Sequence, residues 1–164
     1  GMSTLEVKAI QAPTGFDLDM PAGHIVQVQS STYQPANTVT ITSTSYVNTG
    51  VSQVITPKKT GNKILVRAVL NARAFGDTGN DVDGYFQLVV GSTQLLERRF
   101  IGDNLGKLGD SIWLPYTNVL EYLYTTTSTS ALTFTLNLKC SASNRKHAIT
   151  SEMPSQMTLM EVAQ

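Results

Sequence analysis

A two-residue alternation of apolar and polar side chains runs through long parts of this chain and limits what it can fold into. Over residues 131–140, apolar side chains occupy every second position from Leu132 to Cys140, with Thr, Asn and Lys between them. Residues 63–75 show the same pattern, with apolar side chains at the even positions from Ile64 to Ala74. Successive side chains of a strand point to opposite faces, whereas a helix needs apolar spacings of three to four residues. The alternation therefore predicts strands that each bury one face.

Shorter apolar runs between turn-forming residues extend this prediction along the chain. Further strands are predicted at residues 24–29, 38–42, 46–47, 51–56, 85–90, 93–101, 112–116, 119–124 and 156–163. Asn48-Thr49-Gly50 is predicted to form a turn, and Gly91-Ser92 a two-residue hairpin connection with Gly in the first position. No stretch shows a sustained helical repeat. The predicted fold class is all-β, an antiparallel β-sandwich of jelly-roll topology.

Composition agrees with this class and makes some functions less probable. The chain has 21 Thr and 14 Ser among 164 residues, and β-branched Thr suits a pleated surface. Twelve basic and twelve acidic residues cancel, whereas nucleic-acid binding normally needs a basic excess. No apolar run approaches the roughly 18 residues of a membrane span, and the first residues lack the pattern of a signal peptide. The single cysteine, Cys140, is expected to be a small apolar core residue.

Two regions are predicted. Residues 1–23 form a short N-terminal arm or linker, because their Pro and Gly residues interrupt any long element. This arm either needs a neighbouring molecule to cover it or is a disordered tail, and the sequence leaves both open. Residues 24–164 form the jelly-roll domain.

The sequence offers few groups for catalysis. His24 and His147 are its only histidines, and both are expected to be surface or strand-end residues, because neither is near a nucleophile-elbow motif. Residues 102–108 resemble a phosphate-binding loop but are one residue short between the glycines, and Leu108 replaces the Ser or Thr that would hold Mg²⁺. No metal-ligand motif is present either. We therefore predict no catalytic residue, no cofactor and no metal.

Residues 76–84 are predicted to form an acidic loop, and their composition makes this loop a candidate for ligand binding. Asp77, Asp81 and Asp83 crowd this Gly-containing segment and could surround a Ca²⁺ ion, which prefers six to eight oxygen ligands. The EF-hand spacing is absent, and Asp and Gly are also ordinary turn residues. We favour a solvated loop and keep the three aspartates as binding candidates.

Aromatic residues cluster between positions 113 and 124. Tyr116, Tyr122 and Tyr124 are candidates for subunit contacts, because tyrosine buries well while its hydroxyl keeps a partner. An ordinary place in the sandwich core is an equal alternative for them, and Trp113 is expected in the core. Glu121, inside the same apolar segment, is predicted to be either exposed or paired.

Three segments carry a resemblance to a known class of protein. They are Pro21-Ala22-Gly23-His24-Ile25-Val26-Gln27-Val28, then Ile55-Thr56-Pro57-Lys58 with Asn62-Lys63-Ile64-Leu65-Val66, and the closing Met157-Thr158-Leu159-Met160-Glu161-Val162-Ala163. In this order the chain resembles bacteriophage virion structural proteins of the tail-fibre or appendage kind. The resemblance implies a jelly roll of the C1q/TNF kind that assembles as a homotrimer around a threefold axis.

The function expected from these observations is a non-enzymatic structural protein of a phage tail fibre or appendage, located in the virion. Its N-terminal arm would contact other virion proteins, and its loops could contribute to host attachment. The alternative is a carbohydrate-binding or receptor-binding module of the same fold that uses loops 76–84, 102–110 and 125–130. An enzyme would need paired carboxylates facing one groove.

Overall fold

A computed structural model describes residues 20–76, 82–102 and 112–164, and this part of the chain is built from strands and loops. The strands are β1 (Ile25–Tyr33), β2 (Val39–Ile41), β3 (Val47–Ile55), β4 (Lys63–Gly76), β5 (Val82–Val90), β6 (Thr93–Gly102), β7 (Ile112–Thr125), β8 (Leu132–Cys140), β9 (Lys146–Ile149) and β10 (Ser155–Val162). In the described residues there is no helix of the length and apolarity that a bilayer span requires. Most of the predicted N-terminal arm, residues 1–19, lies outside the described ranges.

Two antiparallel sheets face each other. Sheet A has six strands, in which β4 pairs with β7 on one side and with β10 and β9 on the other, while β1 lies beyond β10 and β2 beyond β9. Sheet B has the strand order β3-β8-β5-β6. The chain crosses repeatedly from one sheet to the other, from β2 to β3, β3 to β4, β4 to β5, β6 to β7, β7 to β8 and β8 to β9. These crossings give the jelly-roll sandwich that the alternation predicted.

The core lies between the sheets and consists of the inward positions of the alternating strands. In β4, every even position from Ile64 to Ala74 is fully buried, as predicted. In β8, Phe134, Leu136 and Leu138 meet them from the other sheet, and Cys140 completes the row. Full burial of each large apolar side chain contributes about 1.5–3 kcal/mol. The predicted strand alternation thus corresponds directly to the buried faces.

The β5–β6 hairpin confirms its predicted turn. Val90 pairs with Thr93, so that Gly91 and Ser92 alone connect the strands. Gly91 has a φ of 56°, a left-handed conformation that glycine adopts without a steric penalty.

Several strand boundaries differ from the prediction: β1 continues to Tyr33, and β9 was not predicted. The Asn48-Thr49-Gly50 segment is a bulge inside β3 rather than a turn, since the pairing with β8 continues on both sides of it. Its polar groups are satisfied locally: the Gly50 amide donates to Asn48 Oδ1 at 2.7 Å, and Thr49 Oγ1 donates to the Leu136 carbonyl at 2.6 Å. The two predicted segments within 112–124 are one continuous strand, β7.

Trp113 corrects a third expectation. It stands on the outward face of β7 and is 41% exposed instead of lying in the core. The reason is its parity, because Leu120 is buried in the same strand and odd-numbered positions therefore point outward.

Replacement of Gly50 by Ala tests the bulge. Gly50 has a φ of 86°, and a Cβ atom there would lie 2.3 Å from the Tyr33 ring. Gly61 has a φ of 91° with open space around it. We expect Gly61→Ala to cost about 1–2 kcal/mol through the backbone alone. Gly50→Ala should cost about 1–3 kcal/mol more, because the ring must move. Urea unfolding measures both, and equal losses would contradict the Tyr33 contact.

Candidate functional site

The acidic loop differs from its prediction in the part that the structure describes. Asp77 and Asp81 lie outside the described residues. Asp83 lies within strand β5 instead of a loop, is 6% exposed, and forms an ion pair with Arg99. A carboxylate already paired with a guanidinium is a poor calcium ligand. Across residues 20–76, 82–102 and 112–164, no three His, Cys, Asp or Glu side chains converge as a metal site.

The three candidate tyrosines all point toward the core. Tyr116, Tyr122 and Tyr124 are partly buried and pack against the core cluster. The Tyr116 ring stacks on Phe100 with centroids 4.4 Å apart, and Tyr124 meets Phe134 edge to face at 5.6 Å. These contacts match the core alternative, and a subunit-contact role for the tyrosines stays a prediction.

His147 lies near the start of a strand, which was one of its two expected placements, but it is buried in the core and is not the surface residue of the other. It lies in β9, fully buried, with its ring edge-to-face with Tyr116 and Phe100. The Tyr116 hydroxyl lies 3.0 Å from Nδ1, and the Asp83 carbonyl lies 3.2 Å from Nε2. A carbonyl oxygen can only accept, so Nε2 carries the proton and Nδ1 accepts from the tyrosine. The surroundings therefore select one neutral tautomer.

Burial shifts the pKa values of His147, Tyr116 and Cys140 in directions that favour their neutral forms. Desolvation lowers the pKa of His147 below its ordinary 6.5, and the hydrogen bond to the Asp83 carbonyl opposes that shift only in part. Desolvation also raises the pKa of Tyr116 and raises the pKa of the Cys140 thiol to about 11. A thiol with so high a pKa holds almost no thiolate near neutral pH. The hydrogen bonds of His147 to Tyr116 and to the Asp83 carbonyl join β9 to β7 and β5, and so hold these strands together.

His24 and Glu121 lie where they were expected. His24 is exposed at the start of β1, with Nδ1 3.0 Å from the Pro21 carbonyl. Glu121 is outward-facing and exposed, and it also pairs with Arg67 at 3.2 Å. Both interpretations offered for Glu121 therefore hold together.

Glu161 is a buried acid that the sequence analysis missed. It stands at an inward position of β10, where it accepts hydrogen bonds from Gln27 Nε2 at 2.6 Å and Asn62 Nδ2 at 2.7 Å. The backbone amides of Lys58 and Lys59 also donate to it. Burial alone would raise the pKa of this carboxyl, but the four donors outweigh it and hold the pKa below its ordinary 4.5. The signal in the sequence was a Glu in phase with the inward residues Met157 and Leu159.

The outward face of sheet A carries an apolar row. Val28 of β1 pairs with Met160 of β10, Met160 pairs with Leu65 of β4, and Leu65 pairs with Leu123 of β7. Residues paired across neighbouring strands share one face, so the four side chains form a line about 14 Å long. Its two ends, Val28 and Leu123, are 50% and 53% exposed. We call this line the apolar row.

An ion pair lies beside the apolar row on the outward face of sheet A. The next line of paired residues contains Arg67 and Glu121, which neutralise each other as an ion pair. Beyond it, Val69 pairs with Val119, and Val119 is 42% exposed. This half of the sheet therefore presents apolar lines around a neutral ion pair.

Sheet B presents a different outer face. Asn137 donates to Gln87 at 3.3 Å, and Gln87 donates to Gln94 at 2.6 Å, which gives a polar line across β8, β5 and β6. Six large apolar side chains on strands of sheet A are exposed, against two on sheet B, in the part of the chain described. They are Ile25, Val28, Val39, Trp113, Val119 and Leu123 on sheet A, and Val47 and Val54 on sheet B. In the described residues, the outer face of sheet A thus exposes more large apolar side chains than that of sheet B.

This chain has only a weak structural similarity to the solved structure described below. No protein-family model matches it, and no curated protein matches its sequence. Among solved structures, the insecticidal delta-endotoxin Cry8Ea1 from Bacillus thuringiensis matches with a TM-score of 0.43 and 16% identity, over 76% of this chain and 19% of the toxin chain. The chain therefore spans about a fifth of that protein's length.

His147 should make the fold sensitive to mild acid. The unfolded chain takes up this proton near pH 6.5, whereas the folded chain takes it up only at lower pH. Stability should therefore fall as pH drops below about 6.5, by up to about 1.4 kcal/mol per pH unit. We expect His147→Gln to remove this slope in urea unfolding between about pH 7 and about pH 5. His24→Gln, a change at the exposed histidine, should keep it, and a slope unaffected by either change would contradict the assignment.

Glu161 should contribute strongly to stability above its pKa. Glu161→Gln replaces one acceptor oxygen by an NH₂ group that faces the four hydrogen-bond donors around it. We therefore expect the free energy of unfolding to fall by about 2–4 kcal/mol at neutral pH. Because its folded pKa is depressed, the contribution of Glu161 should decline as pH falls below about 4.5. Glu121→Gln, at the exposed ion pair, should cost less than about 1 kcal/mol. Thermal unfolding of both variants tests this, and similar losses would show that the buried hydrogen bonds add nothing.

Proposed function

We propose that this protein is a non-enzymatic structural component of a bacteriophage tail fibre or virion appendage and that it works as a homotrimer. The observation that carries the proposal is the apolar row on the outward face of sheet A. Val28 and Leu123 are exposed at its two ends, and contiguous apolar surface commonly marks a site of protein contact. The three segments that resemble phage appendage proteins support the virion assignment.

A second copy of the same chain is the partner that this face fits. On one side of the apolar row Arg67 and Glu121 neutralise each other, and on the other side Lys63 donates to Thr125. Two or more copies can therefore approach through the apolar row with little like-charge repulsion. A homo-oligomer also suits the chain's net charge of zero, since its copies do not repel one another as a whole.

The described acids and histidines support a structural role. His147, Glu161 and Asp83 are each buried and engaged with neighbouring groups, where they fix one strand or loop to another. Their interactions stabilise the sandwich, as a mechanical component requires.

Light scattering coupled to size exclusion tests the assembly. We expect a mass of three times the 17.8 kDa chain at micromolar concentration. Leu123→Lys places a charge on the apolar row and should shift the protein to monomer with little change in the unfolding of the isolated subunit. Val54→Lys is the matched control, because Val54 is 48% exposed but lies on sheet B. A wild-type monomer, or dissociation caused equally by both changes, would overturn the proposal.

A further inference from the structure

The two lateral sides of the sandwich differ in how the sheets are joined. On one side, β1 of sheet A is hydrogen-bonded to β3 and the residue that follows it. Ser31 Oγ donates to the Ser52 carbonyl at 2.6 Å, and Gln27 Nε2 donates to the Thr56 carbonyl at 2.7 Å. On the other side, sheet A ends with β7 and sheet B ends with β6. We call this second side the β6–β7 side.

Core side chains are incompletely covered along the β6–β7 side. Among the described residues, nine hydrophobic side chains pack against the core while being only partly buried, and six of them belong to β6 and β7. The six are Leu95, Leu96, Phe100, Tyr116, Tyr122 and Tyr124. A further strand along this side would remove more of their apolar surface from water, which is favourable.

Strand β7 offers its backbone to such a strand. Among the described strands it pairs with β4 alone, along its whole length. In an antiparallel pair every second residue turns its N–H and C=O groups away from the partner, and these groups can pair with another chain segment. Pro115 lacks an N–H group, and proline within a sheet is typical of edge strands. Residues 116–125 are therefore the uninterrupted part of the edge.

A cavity lies at the end of this edge. It has a volume of about 310 Å³, and its lining includes Val90 and Thr93 of sheet B, Tyr124 of β7 and Leu132 of β8. A strand paired with β7 places alternate side chains toward the space between the sheets. The cavity therefore has room for an aliphatic side chain of that strand.

The N-terminal arm contains a segment with the pattern that this edge requires. Leu5, Val7 and Ala9 alternate with Glu6 and Lys8 in residues 4–10, before the first described residue. This period of two is typical of a strand with one apolar face. Its apolar positions suit the partly buried β6–β7 side, and its charged positions suit solvent.

The arm is long enough to reach β7 of its own chain. Ile25 of β1 pairs with Val162, Val162 with Lys63, and Lys63 with Thr125 at the end of β7, so all four lie on one line. From β1 to the position beyond β7 is four strand spacings, about 19 Å. The connecting residues 11–19 can extend over about 30 Å. Residue 10 would then lie nearest Thr125, so the segment would run parallel to β7.

We infer that residues 4–10 pair with the free edge of β7 in the same chain and bury Leu5, Val7 and Ala9 on the β6–β7 side. The added strand protects this edge from pairing with other chains. This placement differs from both expectations for the arm, a partner-covered segment and a disordered tail. The inference goes beyond the structural role proposed above and does not depend on it, because the strand lies beside β7 and leaves the apolar row uncovered.

Lys8 makes the segment its own reporter, because the next lysine or arginine in the chain is Lys58. Trypsin cuts a paired strand only when the strand is released. We expect cleavage after Lys8 in the full chain to be about tenfold or more faster in Val7→Asn than in the wild type. Glu6→Asn introduces the same residue at an outward position and should be cut at the wild-type rate. Equal rates in all three proteins would overturn the inference.

Hydrogen exchange locates the segment. The amides of residues 116–125 that face away from β4 should exchange about tenfold or more slowly in the wild type than in Val7→Asn. Amides of β3, an edge strand on the opposite side, should exchange alike in both proteins. No difference at β7, or a difference at β3 instead, would overturn the site. Protection should not depend on protein concentration, and protection that falls on dilution would show docking between copies and overturn pairing within one chain.

Discussion

Burial of one face of each sheet against the other is the constraint on which the remaining structure depends. Strand β4 is central to it, because its even positions fill the core while its edges pair with β7, β10 and β9. Because the even positions of β4 point inward, its odd positions lie on the outer face, together with the residues that pair with them on neighbouring strands. The apolar row and the outward position of Trp113 are therefore direct consequences of the same alternation that builds the core.

The two ends of sheet A differ in chemistry. Around Leu65, the apolar row lies beside the neutral Arg67–Glu121 pair, which suits the proposed contact with another copy of the chain. Around Arg73, the exposed Trp113 indole lines a small cavity, and Arg73 itself is paired with Glu152. Because roughly 26 Å separate them along β4, assembly through one end leaves the other available.

Strand positions and buried faces were predicted correctly where the two-residue alternation is uninterrupted. They were predicted poorly where contacts between distant strands determine the local structure. The buried sides of β4 and β8 and the Gly91 hairpin were predicted correctly. The bulge at Asn48–Gly50 was not, because the local composition of a bulge and of a turn is the same, and only the pairing with β8 distinguishes them. His147 was misplaced for a similar reason: the burial of β9 depends on its pairing with β4 and β2, which are distant in the chain.

What the sequence determined by itself was the class of fold, since a period of two in apolar residues is compatible with a half-buried strand and not with a helix. It also determined the neutral overall charge and the lack of any known catalytic motif. Only the tertiary structure decided which outward residues became neighbours. Val28, Met160, Leu65 and Leu123 lie far apart in the chain and form one row only after four strands pair in register. Pairing between distant strands adds this information, because each residue's neighbours on a sheet face come from other strands.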